Sequence, residues 1–438
     1  MITKPKGTYD VLPEESNKWQ NLESTIRKVC KLFNYKEIRT PIFESFEVFH
    51  RNQNDTSDMV TKETYDFKDR SDRGMTLRPE GTAGVARCYV ENKMYVSTLT
   101  QKLFYMGPMF RYERPQKGRY RQFMQFGVEA LGSDSPLIDA EVIALGHTLI
   151  RALGLKDIVV KINSLGDEES RAAYKKVLID YFSQYKDELC YDCLNRLEKN
   201  PLRILDCKVD RDKDFFKKAP KINNYLNEYS KNRFNQVLEQ LDSLDMKYVV
   251  DDNLVRGLDY YSHTVFELEA NVPEFGAANV IGAGGRYDSL ISDLGGPKTP
   301  GVGMAFGLDR LILATDYAGK NLNPEVKLHA YLIALGENAK KYASKLLNDF
   351  RILGLTCDMD YLNGSIKNQF KKADLNNSIY TLILGDNELN EGKINVKDNR
   401  TDEQISVDIN EIGQFLVKNI TISKCHTCKG ENYEKSSN

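Results

Sequence analysis

The sequence has no apolar run approaching the roughly 20 residues needed to cross a bilayer. Its opening, MITKPKGTYDVLPEES, lacks the apolar stretch of an export signal. Both absences point to the cytoplasm and away from a membrane. Charge of one sign is also lacking, with a net of −2 over 438 residues. Any contact with nucleic acid must therefore come from local basic patches. Eight cysteines in so long a chain read as reduced thiols rather than a disulfide framework. No G-x-x-x-x-G-K-[ST] occurs, which excludes a Walker-type phosphate cradle. GVGMAFG at 301–307 is one residue out of step with a dinucleotide fingerprint and carries little alone. There is no internal repeat and no long low-complexity segment. What is present is ordinary for a globular protein, 41% apolar and 28% charged, and the length suggests two or three domains.

Periodicity supplies the organisation. Trp19, Leu22, Ile26, Val29 and Phe33 recur at three- and four-residue steps, predicting a core-facing helix over 15–33. A short strand, EIRTPIF, follows, and Pro41 puts it at an edge or interface because proline cannot donate a ladder bond. From about Leu99 to Gly132 a period-two pattern surrounds a polar loop, predicting a long antiparallel hairpin. From Asp167 to about Met246 the chain is rich in Lys, Asp, Glu, Asn and Tyr at helical spacing, which reads as an inserted helical module over 167–246. Glycines return between Gly257 and Gly307, among strand-like runs such as TVFELEA. After Pro324 strands and helices alternate (HAYLIAL, ENAKKYASKLLNDFRIL, LTCDMDY, SIKNQFKKADLNN, SIYTLILG), predicting a separate α/β domain over 326–420. Residues 421–438 read as a polar, frayed tail.

The hairpin carries the chemistry. Phe110–Glu129 contains Arg111, Arg114, Lys117, Arg119 and Arg121 with aromatic and apolar residues between them. On its return strand Phe123, Gln125, Gly127 and Glu129 share one face, and Met124, Phe126 and Val128 the other. The second is a core face. The first offers an aromatic plate, an amide, a gap and a carboxylate, which suits a lined cleft; the competing reading is a plain solvent-exposed face. Without a glycine-rich cradle, phosphate binding would rest on arginine forks, which match phosphate oxygens in two-point geometry.

FRYER followed by KGRYRQF resembles the second signature motif of class II aminoacyl-tRNA synthetases, and GVGMAFGLDRLIL (301–313) resembles the third, a strand leading into a helix that carries Arg310. The 15–33 helix with the Pro41 strand is similar to the first motif, which in that class forms a homodimer interface. LVRGLDYYSHTVFE (254–267), GAGGRYDSL (282–290), TLRPEGT (76–82) and NPLRILDCKVDRD (200–212) are similar to segments of histidyl-tRNA synthetases, and the likeness is close to full length. The resemblance implies an α+β catalytic domain over 1–325, built on an antiparallel sheet flanked by helices and interrupted by the 167–246 insertion. It implies that 326–420 is an α/β anticodon-binding domain.

It also implies a reaction. L-histidine would be activated on ATP, with Mg2+ neutralising the pyrophosphate, and transferred to the 3′ end of histidine tRNA. Glu80, Thr82, Gln125, Glu129, Tyr260 and Tyr261, with Arg111 and Arg256, would line the histidine pocket. Arg111 would contact the α-phosphate and Arg256 would be the distinctive catalytic arginine. Arg119 and Arg310 would hold the β- and γ-phosphates, Phe123 would stack on adenine with Glu113 near the base edge, and Gln116 would meet the tRNA acceptor end. The residue types agree: a histidine substrate offers an ammonium and imidazole N–H groups, and Glu80, Gln125 and Glu129 are acceptors for them. The competing readings are a non-catalytic synthetase-like regulatory subunit of histidine biosynthesis and a class II synthetase for another amino acid. The first usually lacks a C-terminal domain, and the RGLDYY segment argues against the second.

Two cysteine groups stand apart from this. Cys190-x-x-Cys193 with Cys207 can supply three zinc ligands without an obvious fourth, and Cys425-x-x-Cys428 with His426 can add more; free thiols are the favoured reading of both. The lone His263 reads as a structural side chain rather than a catalyst.

Overall fold

The structure is a computed structural model that describes residues 1–51, 58–116, 118–207, 209–272, 279–324 and 327–420. The Cys425, His426 and Cys428 group lies outside the described residues. Contacts divide the chain into two units, Met1–Asn323 and Pro324–Asn438. None of the helices described is long and apolar enough to cross a membrane.

The first unit contains β1 (Lys36–Glu37), β2 (Phe43–Ser45), β3 (Tyr65–Lys68), β4 (Gly74–Leu77), β5 (Gln101–Phe110), β6 (Gln122–Leu131), β7 (Ile158–Ser164), β8 (Tyr248–Val250), β9 (Ser262–Ala270), β10 (Val280–Tyr287) and β11 (Gly301–Gly307). Eight strands form one sheet in the order β1-β5-β6-β11-β10-β9-β7-β8, while β2, β4 and β3 form a small second sheet. The large sheet is antiparallel through its centre, and only the edge pairs β1–β5 and β7–β8 run parallel.

The first helix, Pro13–Leu32, starts on a proline with Glu14 and Glu15 in its first turn and buries Leu22, Ile26 and Val29. Proline and carboxylates both suit a helix N-terminus, where N–H groups lack partners and the dipole favours negative charge. The expected strand EIRTPIF is two strands. It breaks before Pro41, so that β1 edges the large sheet and β2 joins the small one. The expected hairpin is β5 and β6, paired from Gln101–Leu131 to Phe110–Gln122. Its core face, with Phe126 and Val128, packs with Ile143, Leu145 and Leu149 of the helix Pro136–Ala152 and with Phe266 and Leu268 of β9.

The helical segment leaves the sheet after β7 and returns at β8, which is its neighbour. Its last helix, Glu228–Ser243, places Phe234, Val237 and Leu241 in the same core as Ile143. Tyr174, Leu178, Phe182, Phe215 and Phe216 join a second core that reaches Tyr105, Tyr261 and Tyr287 on the opposite side. Asp139, fully buried, ties these layers together: it accepts from Thr264 Oγ1 at 2.8 Å, Arg286 Nε at 3.1 Å and Arg233 Nη2 at 3.3 Å. The arginine of GAGGRYDSL is therefore a structural residue, 1% exposed.

The second unit holds β12 (Ala330–Leu335), β13 (Cys357–Met359), β14 (Tyr380–Gly385), β15 (Lys393–Asp398) and β16 (Gln404–Asp408), in the order β13-β12-β14-β15-β16. The strand–helix alternation yields the three parallel strands; the antiparallel pair β15–β16, which follows the short helix Asp386–Asn390, escaped it. The helices Glu337–Ile352 and Ile412–Asn419 bury Leu347, Phe350 and Leu416 in that unit's own core.

Candidate active site

The polar face of β6 opens on a cavity of about 310 Å³, lined by residues from the hairpin, the Glu80–Thr82 turn, the 256–261 loop, β10 and β11. Glu80, Thr82, Arg111, Glu113, Arg119, Phe123, Gln125, Glu129, Arg256, Tyr260, Tyr261 and Arg310 all reach it. Gln116 does not; it sits exposed on the hairpin loop, bridged to Arg119.

One half of the cavity is rich in acceptors and hydroxyls. Glu129 is 1% exposed. It accepts from Thr82 Oγ1 at 2.7 Å and from the Tyr287 hydroxyl. Burial, with the neighbouring Glu80 carboxylate adding to it, pushes its carboxyl up to about 8 against the pull of those two donors. Glu80 has a structural duty as well: its two oxygens accept the backbone N–H groups of Thr82 and Ala83 at 2.6 and 2.8 Å, closing the N-terminus of the helix Thr82–Glu91. Gln125 has a buried Oε1 with no partner among the described residues, an acceptor that suits a donor from a ligand. Burial raises the hydroxyls of Tyr260 and Tyr261 above the usual phenol range, so both remain neutral donors.

Gly127 was expected to leave a gap on this face, and the structure fills it. Gly127 pairs with Tyr105 across the hairpin, and a Cβ at Gly127 would meet the Tyr105 ring at 2.3 Å. The buried Tyr105 ring thus packs against the strand behind the lining residues, and glycine is needed opposite it. Tyr287, likewise missed in the sequence, is fully buried and orders Glu129. For Tyr105 the sequence cue was an aromatic in a strand, which core packing explains equally well; Tyr287 stands in the GAGGRYDSL segment, but nothing there tied it to Glu129.

The other half is cationic. Arg111 donates through Nε to the Pro79 carbonyl at 2.8 Å and lies over the Phe123 ring, 5.4 Å from its centroid. Glu113 stands between two guanidinium groups, 3.8 Å from Arg111 and 3.8 Å from Arg119. Arg310 enters from the helix Leu308–Tyr317; burial first, and then the Arg119 charge, lower its guanidinium from the usual value. Like charges gathered in a partly buried wall favour an anionic occupant. Of the other described hairpin cations, Arg121 stacks on Tyr112 at 3.8 Å, and Arg114 is exposed.

Arg256 projects from the loop before β9. It pairs with Glu267 of β9 while its backbone carbonyl accepts from Arg203 Nη1 at 3.3 Å. Its Nε is buried and has no hydrogen-bond partner among the described residues. The arginine is thus held in an ion pair, inside the cavity wall rather than on the outer surface. His263 is buried, with Nε2 3.8 Å from Asp288, and does not line the cavity.

The family model described as histidyl-tRNA synthetase matches residues 7–311, and that described as anticodon binding domain matches 329–419. The chain is 50% identical over 420 residues to a histidine–tRNA ligase of Bacillus cytotoxicus, covering 96% of this chain and 99% of that one. It is 51% identical over 409 residues to a histidine–tRNA ligase of Acholeplasma laidlawii, covering 93% and 97%. The crystal structure of apo S. aureus histidyl-tRNA synthetase superposes with a TM-score of 0.82 at 42% identity, over 95% of this chain and 100% of that one. With a cavity of paired acceptor and arginine halves, and likeness running through both units, the chain belongs to the histidyl-tRNA synthetase family.

Proposed function

We propose that the chain is a histidine–tRNA ligase, which activates L-histidine with ATP, releases pyrophosphate, and transfers the histidyl group to the 3′ end of its tRNA. The observation that carries this reading is the meeting of an acceptor-rich half and an arginine-rich half in one cavity. The alternative of a regulatory subunit is not favoured. A structure described as an ATP phosphoribosyltransferase regulatory subunit/histidyl-tRNA synthetase shares the fold at 20% identity, against the 50% identity of the ligases.

The histidine carboxylate is already ionised at pH 7, so it attacks the α-phosphorus without a general base. Catalysis is then a matter of positioning two anions and stabilising charge in line. Glu80, Thr82, Gln125, Glu129, Tyr260 and Tyr261 receive the ammonium and imidazole of histidine. Arg111 and Arg256 contact the carboxylate and the α-phosphate between which the new bond forms. Arg119 and Arg310 hold the β- and γ-phosphates, and Phe123 with Glu113 receives adenine. Gln116, on the exposed loop, is available to the tRNA acceptor end. A site built to hydrogen-bond its substrate rejects analogues lacking those groups by about 10⁴ or more.

Mg2+ would accompany ATP and neutralise the pyrophosphate. Such an ion would be carried chiefly on phosphate oxygens and water. We assign 1–325 to the catalytic domain with its insertion at 167–246, and 326–420 to anticodon binding. Exposed Ile42, Phe43 and Phe67 around β2 and β3 suit a homodimer contact, and a cytoplasmic location fits the substrates. ATP–pyrophosphate exchange with each amino acid in turn tests the reading: exchange with histidine alone is expected, and exchange with none, or with another amino acid, overturns it.

A further inference from the structure

Away from the cavity, the helical segment between β7 and β8 gathers Cys190, Cys193, Cys207 and Asp210, with ligand atoms all within 4.8 Å of one another. In the sequence these stand as Cys-x-x-Cys, then Cys-x-x-Asp. Three ligands were legible there. The fourth was not, because one aspartate among many carries no signal until its burial is known. Asp210 is 0% exposed, Cys193 0% and Cys207 4%.

The geometry suits a tetrahedral ion. Cys190 Sγ and Cys207 Sγ are 3.7 Å apart. Metal–sulfur bonds of about 2.3 Å at tetrahedral angles place two sulfurs about 3.8 Å apart, whereas a disulfide requires about 2.05 Å. Donors are in place for a sulfur that a bound metal has deprotonated. Val209 and Asp210 direct their backbone N–H groups at Cys207 Sγ, at 3.4 and 3.3 Å. Cys190 occupies the N-cap of the helix Tyr191–Lys199, where the helix dipole favours an anion. Its own N–H donates to Asp210 Oδ2 at 2.9 Å, and Lys213 Nζ lies 2.9 Å from Asp210 Oδ1. These contacts orient the carboxylate and offset the excess negative charge of three thiolates and a carboxylate around a divalent ion.

We propose that Cys190, Cys193, Cys207 and Asp210 bind one structural zinc ion per chain. Zinc fits a thiolate-rich closed site and brings no redox chemistry. On binding, the ion displaces the three thiol protons, which pass to solvent, and no group changes oxidation state. The site pins the start of a helix whose far end leads into the active-site wall: Asn200 donates to Asp259 Oδ1 at 3.0 Å, and Arg203 to the Arg256 carbonyl at 3.3 Å.

The test is metal analysis of the full chain purified without chelator and without a metal-affinity tag. About one zinc per chain is expected, as a structural site binds zinc tightly enough to survive purification. Cys193→Ser and Cys207→Ser should each remove it, while Cys88→Ser and the double change Cys425→Ser, Cys428→Ser should retain it. Because a serine variant can misfold, the wild-type chain is also exchanged with cobalt(II). Thiolate-to-cobalt charge-transfer bands and the intense visible bands of a tetrahedral ion support the site. Wild-type protein that holds under about a tenth of an equivalent of zinc and gives no cobalt bands overturns it, given the affinities of such sites. So does zinc that follows the Cys425 and Cys428 pair, or a Cys190–Cys207 disulfide found by mass spectrometry in freshly purified protein.

Discussion

A Cβ built on Gly303 would stand 1.9 Å from Glu129 Oε2, because the two residues face each other across β6 and β11. The glycine is therefore what lets Glu129 point into the cavity while held by Thr82 and Tyr287. Gly303→Ala must push the carboxylate aside or bend β11. A fold cost of about 1–3 kcal/mol is expected from overpacking, together with a rise of about tenfold or more in KM for histidine as the acceptor moves. Thermal unfolding and histidine-dependent pyrophosphate exchange measure the two. An unchanged KM would mean that Glu129 does not contact the substrate.

Glu129 also gives the empty protein a pH signature. Its carboxyl titrates near 8 in the fold, against about 4.3 in an unfolded chain. Between those values the folded state holds a proton that the unfolded state lacks, so stability from this group falls as pH rises from about 4.3 to 8 and then levels. Glu129→Gln, which carries no titrating proton, should lose that slope. The measurement is the difference between the two proteins in urea midpoint across this range; parallel curves would refute the raised pKa. An ammonium bound beside Glu129 favours the carboxylate. Calorimetric titration of wild-type protein with histidine at pH 7, in buffers of different ionisation enthalpy, should therefore report release of up to about one proton per site.

Arg286 sits in a segment that marks the family in sequence, yet its role is architectural. It is 1% exposed and paired with the fully buried Asp139, which also holds Thr264 and Arg233. Arg286→Met strands part of that charge, and breaking a buried pair by removing one partner costs about 3–5 kcal/mol. Urea unfolding should show that loss, or the variant should be recovered only as aggregate. KM for histidine and ATP in any folded fraction should stay within about threefold, since the residue does not line the cavity.

Period-two alternation sufficed to place Phe123, Gln125 and Glu129 on one face of β6, because a strand fixes side-chain direction by parity alone. Spacing likewise delivered the first helix, with Leu22 and Ile26 buried. What parity cannot give is the neighbouring strand. Tyr105 and Tyr287 reach Glu129 and Gly127 only through the registers of β5 with β6 and across to β10, and register is set by packing of the whole sheet. Glu80 shows a related limit. TLRPEGT drew attention to its carboxylate as a pocket group, while its closure of the Thr82–Glu91 helix depends on a turn that places both oxygens over two N–H groups. The break of EIRTPIF into β1 and β2 was half visible: Pro41 signalled an edge, but the switch to a second sheet needed β4 as a partner.

Arg256 has an ion-pair partner, Glu267, and a place in the cavity wall, so its action on substrate and its service to that pair are distinguishable. Separate substitutions at the two positions tell the roles apart. If the arginine serves only that pair, Arg256→Ala and Glu267→Gln lose the same interaction and should depress activity alike. If it stabilises charge at the reacting centre, Arg256→Ala should lower kcat for pyrophosphate exchange by about 10² or more, the usual loss for one positioned donor. Glu267→Gln should then cost under about tenfold, since the guanidinium keeps its charge and its backbone anchor to Arg203. Arg256→Lys should recover only part of the rate, because a lysine has the charge but not the two-point fork. The fold should tolerate all three, as Arg256 is only half-buried on a loop. Equal losses in Arg256→Ala and Glu267→Gln, with unaltered thermal unfolding, would assign the arginine to the wall of the cavity and leave Arg111 as the cation at the α-phosphate.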